Sequence, residues 1–188
     1  RAVKAAEARL VEQQATKSYT TLSGDPAFRT AMAGLVLGDT VPMTRIAGSA
    51  STGGTAGVRL GLDLIHAANP EAAIWISLPT WPNHFALTRA AGMKYRTYRY
   101  YDPETGSVDR AGMWEDLAAA QPGDVVLLHG CCHNPTGADL NADDWAKIAD
   151  FCAEKGVMPF IDTAYQGFGD GLDSDAAGLR SLAARMEW

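Results

Sequence analysis

The sequence is short of cysteine, of net positive charge and of long apolar runs, and each shortage removes a class of protein. Only three cysteines occur in 188 residues, Cys131, Cys132 and Cys152, an odd number with two of them adjacent. A secreted disulfide framework needs more of them at wider spacing, so a reducing compartment, the cytoplasm, is expected. Lys and Arg total 16 against 22 Asp and Glu, a formal net charge of −6. That balance argues against a surface built to neutralise nucleic-acid phosphates or to coat an anionic membrane, so neither is an expected partner. A small anion is still permitted, because backbone amides at a helix end hold one without net positive charge. No apolar run approaches the length of a transmembrane helix. No apolar block follows the first basic residues, so a signal peptide is not expected either. Both ends read as the middle of a helix, with no initiator Met and no cap, and this leads us to expect an excerpt of a longer protein.

What is present is an ordinary globular balance, 47% hydrophobic and 20% charged. At about 150 residues per domain the length corresponds to one or two domains. Such a chain buries roughly 70% of its unfolded surface and needs neither disulfide nor structural metal to fold. Residues 1–15 carry Val3, Ala6, Leu10 and Val11 at helical spacing. Asp25-Pro26 opens a second helix, with Asp as its cap, running to about Leu37. From residue 44 onward short apolar stretches at 44–50, 72–78, 93–100, 124–129 and 157–162 read as strands. Helical patterns at 54–68, 82–91, 109–120, 141–155 and 175–187 separate them. Several of these strands are almost wholly apolar, as strands covered by helices on both faces are. The expectation is a three-layer α/β fold with a mostly parallel sheet, residues 1–43 forming a helical segment in front of an α/β domain at 44–188. In such sheets ligands lie beyond the carboxyl ends of the strands, so chemistry is sought immediately after each one.

After the first expected strand, Ser51-Thr52-Gly53-Gly54-Thr55 leads into a helix. Its glycines expose backbone N–H groups at a helix N-terminus, and Thr55 adds a hydroxyl, together an anion cradle in form. After the second, Trp81 is held between Pro79-Thr80 and Pro82-Asn83, a stiffly placed flat surface suited to stacking on a planar ring; the alternative is a core Trp. His84 follows. The third is followed by Tyr100-Tyr101-Asp102-Pro103, read as a connector. After the fourth comes HGCCHNPTG at 129–137, in which Asn134 can present its amide to a ligand. Two chemistries compete for its Cys and His residues. A zinc site needs a second ligand pair from elsewhere, and none is evident, so no metal is expected. A cysteine nucleophile at Cys131 or Cys132, with His129 or His133 as base, is the other. After the fifth, Asp162 ends an apolar strand, a costly placement unless the carboxylate is paired, functional or a helix cap, and Tyr165 lies three residues on.

Taken together, Thr52-Gly53-Gly54-Thr55, the segment 79–84 (PTWPNH), HGCCHNPTG and Asp162-Thr163-Ala164-Tyr165-Gln166-Gly167-Phe168 resemble the class I pyridoxal-phosphate aminotransferases, in the aspartate and aromatic amino-acid branch. The resemblance covers the whole chain and implies the major domain of that fold. It implies pyridoxal phosphate as cofactor and transamination between an L-amino acid and a 2-oxo acid. Gly53, Gly54 and Thr55 would hold the cofactor phosphate, and Trp81 would stack on its ring. Asn134 and Tyr165 would hydrogen-bond the ring's phenolic oxygen, and Asp162 would pair with its protonated nitrogen. His84 and His129 would stand behind Asp162 and orient it. Tyr19 would reach the phosphate site of a neighbouring subunit in a homodimer. The pattern departs from the family at Thr52, where Pro is usual, and at Ala56-Gly57, where Gly then Ala is usual. None of the five lysines occupies a strand-end position, and the family's catalytic lysine, like its substrate-binding arginines, falls beyond the stretch covered. The competing functions are a cysteine-dependent hydrolase and a non-catalytic anion-binding α/β module.

Overall fold

In the computed structural model, which describes residues 1–186, strands β1 (Ala73–Leu78), β2 (Lys94–Arg99), β5 (Val125–His129) and β6 (Met158–Asp162) form one parallel sheet in the order β2-β1-β5-β6. A separate antiparallel pair, β3 (Tyr101–Asp102) and β4 (Ser107–Val108), occupies part of the expected connector. Side chains alternate across the sheet with the period of two that strands impose. Ile74, Ile76, Val125 and Leu127 face one way, onto Val58, Leu62 and Ile65 of α3 (Gly54–Ala68) and the partly buried Phe85 and Leu87 of α4 (Asn83–Ala90). Trp75, Val126 and Leu128 face the other way. They meet Met113 and Leu117 of α5 (Arg110–Leu117), Trp145, Ile148 and Cys152 of α6 (Ala142–Lys155) and Leu182 of α7 (Leu172–Arg185). Helices on both faces make the fold a three-layer α/β sandwich, and each such aliphatic side chain contributes about 1.5–3 kcal/mol by leaving water.

The helix ends follow their sequence signals. Asp25 accepts a hydrogen bond from the Phe28 amide at 3.0 Å and starts α2 (Pro26–Leu37) with Pro at its first position. Asn141 and Asp144 form a reciprocal capping box on α6, which Gly156 closes at φ 66. The first helix, α1 (Ala2–Gln13), has no buried residue. Among the described residues no helix is long and apolar enough to cross a membrane.

One expected strand is absent. Residues 44–50 hold the end of a 3₁₀ turn, Met43–Arg45, followed by irregular chain. The segment lies across an apolar groove of about 1090 Å³ from Met158 and Ile161 of β6, so it has no ladder to join. Its backbone is tied instead to loops and side chains, with the Ala50 amide donating to the Ser23 carbonyl at 2.9 Å and Arg29 to the Gly48 carbonyl at 3.0 Å. Gly, Ala and Ser supply little β preference to offset that loss of partners. The last expected helix, 175–187, begins earlier, at Leu172, where Gly171 at φ 125 turns the chain into it; position 187 lies outside the described residues.

The strand order also decides where a ligand can sit. From β1 the chain passes through α4 to β2 on one side, whereas β5 continues through α6 to β6 on the other. The connections leaving the carboxyl ends of β1 and β5 therefore diverge and open a crevice between them.

Candidate active site

The crevice contains a cavity of about 250 Å³ lined by Gly54, Thr55, Trp81, His129, Cys131, Asn134, Asp162, Ala164 and Tyr165. Residues from four separate stretches of sequence meet here because each follows a strand or opens a helix at the same end of the sheet. On one side is the N-terminus of α3. Its N-cap, Gly53, adopts φ 91 and ψ 172, a conformation open essentially to glycine alone. A Cβ built on Gly53 or Gly54 would meet nothing within 4 Å, so this helix end, whose first amides have no partner within the helix, borders open space. Unpaired amides and the helix dipole together attract an anion. On another side Trp81 is half-buried, its ring meeting His84 edge-on at 5.3 Å, which makes it a wall of the cavity and not a core residue.

Asp162 ends β6 opposite His129 in register, and its carboxylate is partly exposed to the cavity. Behind it runs a chain of buried hydrogen bonds whose direction can be assigned from one fixed donor. The Asn134 backbone N–H points at His129 Nδ1, at 3.4 Å. His129 therefore carries its proton on Nε2 and donates to Thr80 Oγ1 at 3.0 Å. The Thr80 hydroxyl then donates to His84 Nδ1 at 2.8 Å, and His84 Nε2–H donates to Asp162 Oδ2 at 2.9 Å. Every donor points toward the carboxylate, which can only accept while it is ionised. Burial, reinforced by the neighbouring His84, pulls the His129 pKa down to about 4, so the ring is neutral as this arrangement demands.

The loop that carries Asn134 is held with equal care. His133 is buried and stacks on Tyr100 with ring centres 4.0 Å apart. Its Nε2 lies 3.2 Å from Ser77 Oγ and its Nδ1 2.8 Å from Thr136 Oγ1. Asp139 accepts from the backbone amides of Cys132 and His133 at 2.7 and 2.8 Å. Burial pulls the His133 pKa down to about 3.

The class I and II aminotransferase family model matches this chain over residues 1–188. The chain belongs to that family. As an aminotransferase chain it is 53% identical over 186 residues to the aromatic-amino-acid aminotransferase of Paracoccus denitrificans, covering 99% of this chain and 47% of that protein. It is 44% identical to the aspartate aminotransferase of Haemophilus influenzae, with 97% and 47% covered. Among solved structures it superposes with a TM-score of 0.95 on an aromatic amino acid aminotransferase with 3-indolebutyric acid, at 53% identity over 99% of this chain and 47% of that one. A second match, at TM-score 0.93 and 40% identity over 98% of this chain and 47% of that one, is the Burkholderia pseudomallei aromatic-amino-acid aminotransferase covalently bound to pyridoxal phosphate. The chain spans about half the length of the relatives it matches.

Within this aminotransferase chain, Gly54, Thr55, Trp81, Asn134, Asp162 and Tyr165 converge on one cavity, and His84 and His129 lie behind Asp162. Gly53 faces the larger apolar groove beside it. Tyr19 does not join them, being fully exposed in irregular chain after α1. Two contributors carried no signal in the sequence. Thr80 bridges two histidines and Ser77 holds His133, while Cys131, a candidate nucleophile in the sequence, lines the cavity. A lone Thr or Ser in a strand-to-helix loop looks the same whether or not it bridges.

A cysteine nucleophile finds no support in this geometry. Burial pushes the Cys131 thiol up to about 11 and raises that of Cys132, the reverse of what a reactive thiolate needs. Both nitrogens of His129 and of His133 are engaged elsewhere, so neither imidazole is left to act as its base.

Proposed function

We propose that this chain is the cofactor-binding portion of a pyridoxal-phosphate aminotransferase that, as a complete polypeptide, moves an amino group between an L-amino acid, aspartate or aromatic, and a 2-oxo acid. The observation that carries this reading is Asp162. It is a carboxylate held by a buried, one-directional chain of donors and turned toward a cavity that is also lined by an anion-attracting helix end. A phosphate cradle, a flat indole, two hydrogen-bonding groups and a carboxylate around one cavity suit a phosphorylated, protonated heteroaromatic ring.

In this reading the amides at the start of α3 and the Thr55 hydroxyl bind the phosphate, Trp81 covers one ring face, and Asn134 and Tyr165 hydrogen-bond the ring oxygen. When bound, pyridoxal phosphate supplies an electron sink that stabilises negative charge at the substrate Cα. Asp162 holds the proton on the ring nitrogen. His84, Thr80 and His129 keep that carboxylate aimed, each by donating toward it. No lysine of the described residues lines the cavity. The covalent and proton-carrying lysine is therefore assigned to the part of the longer relatives that this chain does not cover. Residues 1–43 form the N-terminal segment and 44–188 the cofactor-binding domain. A homodimer is supported by α1, whose Val3, Leu10 and Val11 are all exposed, and by the exposed Tyr19, assigned to the neighbouring subunit's phosphate site. Three free cysteines are in keeping with a cytoplasmic location.

The test is cofactor uptake by the full-length protein, followed by absorbance and then fixed by borohydride. Stoichiometric, covalently trapped pyridoxal phosphate together with amino transfer from aspartate or an aromatic amino acid is expected. A protein that traps no cofactor overturns the reading.

A further inference from the structure

Neighbouring residues ordinarily aim their side chains apart, but Cys131 and Cys132 do not. Cys132 sits at φ 47, the one non-glycine of the described residues in the left-handed region. This turn brings both sulfurs and a carboxylate oxygen of Asp175 within 4.8 Å of one another. We propose that Cys131, Cys132 and Asp175 form a binding site for one soft divalent cation of the zinc and cadmium class. Thiolates select such ions over hard ones. Two ligands each roughly 2.3 Å from a tetrahedral ion stand about 3.8 Å apart, so atoms within 4.8 Å of one another need close by no more than about 1 Å to share it.

The surroundings suit a cation. The Asp175 carboxylate accepts from the backbone amides of Gly167 and Asp170 at 2.7 Å and of Gly169 at 3.0 Å, which fixes its orientation as outer partners fix metal ligands. These amides also hold its pKa below the usual carboxylate range. Asp139 and Asp170 bring further negative charge to Cys132. The present polar contacts of the sulfurs are weak and easily exchanged, Cys131 with Thr163 Oγ1 at 3.8 Å and Cys132 with the Tyr165 carbonyl at 4.0 Å. On binding, each thiol releases its proton to solvent, and the half-buried Cys132 opens a path for water as a further ligand. No second ligand pair was visible in the sequence because the third ligand comes from α7, remote in the chain.

The site needs no cofactor, so it is tested apart from the proposed transamination. The reduced full-length protein is titrated with Cd²⁺, reading the ultraviolet thiolate-to-cadmium charge-transfer band and the mass of the intact complex. One ion per chain is expected, displaced by Zn²⁺. The near-isosteric Cys131→Ser and Cys132→Ser each weaken binding by about tenfold or more and reduce the band, and the double variant abolishes it. Asp175→Asn weakens binding by about tenfold or more while the band, which reports sulfur, persists at saturation. Cys152→Ala keeps both affinity and band. Absence of the band, its survival in the double variant, or unchanged affinity in Asp175→Asn would overturn the proposal.

Discussion

The imidazole of His84, with no exposed surface, donates from Nε2 to Asp162 Oδ2 at 2.9 Å, while the other face of that carboxylate looks into the cavity. One residue thus has a dry side that fixes its orientation and an open side that faces a ligand.

Asp162→Asn keeps the shape of the carboxylate and removes its charge. In the full-length enzyme amino transfer should fall by at least about 10²-fold, the scale seen when one group that stabilises developing charge is lost. Single-turnover measurement with saturating cofactor is the check, and a near-normal rate would remove Asp162 from the reaction.

Thr80→Val breaks the relay at its bridge and leaves buried donors and acceptors of both His84 and His129 without a partner. A loss of about 1–3 kcal/mol in unfolding free energy is expected, together with a slower reaction. Thr80→Ser should restore most of both, which a role in packing alone would not predict.

Stability should depend on pH below neutrality. The folded pKa of His129 lies at about 4, depressed by burial and by His84, with Asp162 and Asp139 opposing; that of His133 lies at about 3. Unfolded histidine titrates near 6.5. Between about 6.5 and 4 the unfolded chain binds more protons, so the stabilisation is complete above pH 6.5 and is lost as pH falls through that window. Urea midpoints measured from pH 7 to 4.5 should fall, and His129→Gln should flatten the slope.

Trp81→Ala removes the indole wall of the cavity without opening the core, because the ring is already half-exposed. Pyridoxal phosphate affinity should drop by about tenfold while the melting curve changes little. Unchanged affinity would return Trp81 to a packing role.

Adjacent glycines should separate backbone strain from ligand space. Gly53→Ala places a side chain at φ 91 and should cost about 1–3 kcal/mol of stability. Gly54→Ala meets no atom within 4 Å and lies at the cavity wall, so it should leave stability intact and weaken phosphate binding, measured by competition with inorganic phosphate.

Much of this protein could be read locally. Continuous apolar runs marked β1 and β5 because a strand covered on both faces needs apolar residues at every position. Asp25-Pro26 marked a helix start because the Asp side chain satisfies an amide only three residues away. The segment 44–50 misled because strand formation depends on a partner that the segment itself does not contain. The same division runs through the site. Tryptophan and aspartate were legible since strand ends in a parallel sheet point to one place, and the glycine turn since it opens a helix. The bridging role of Thr80 was not, since it depends on two histidines brought together across the sheet. Sequence alone determined which residues end each strand, and with them the family. Tertiary structure decided which way protons point along His129, Thr80 and His84, and that Asp175 stands beside Cys131 and Cys132. Hydrogen bonds and ligand clusters are set by distances of a few ångströms between residues far apart in the chain, and only the packed fold defines those distances.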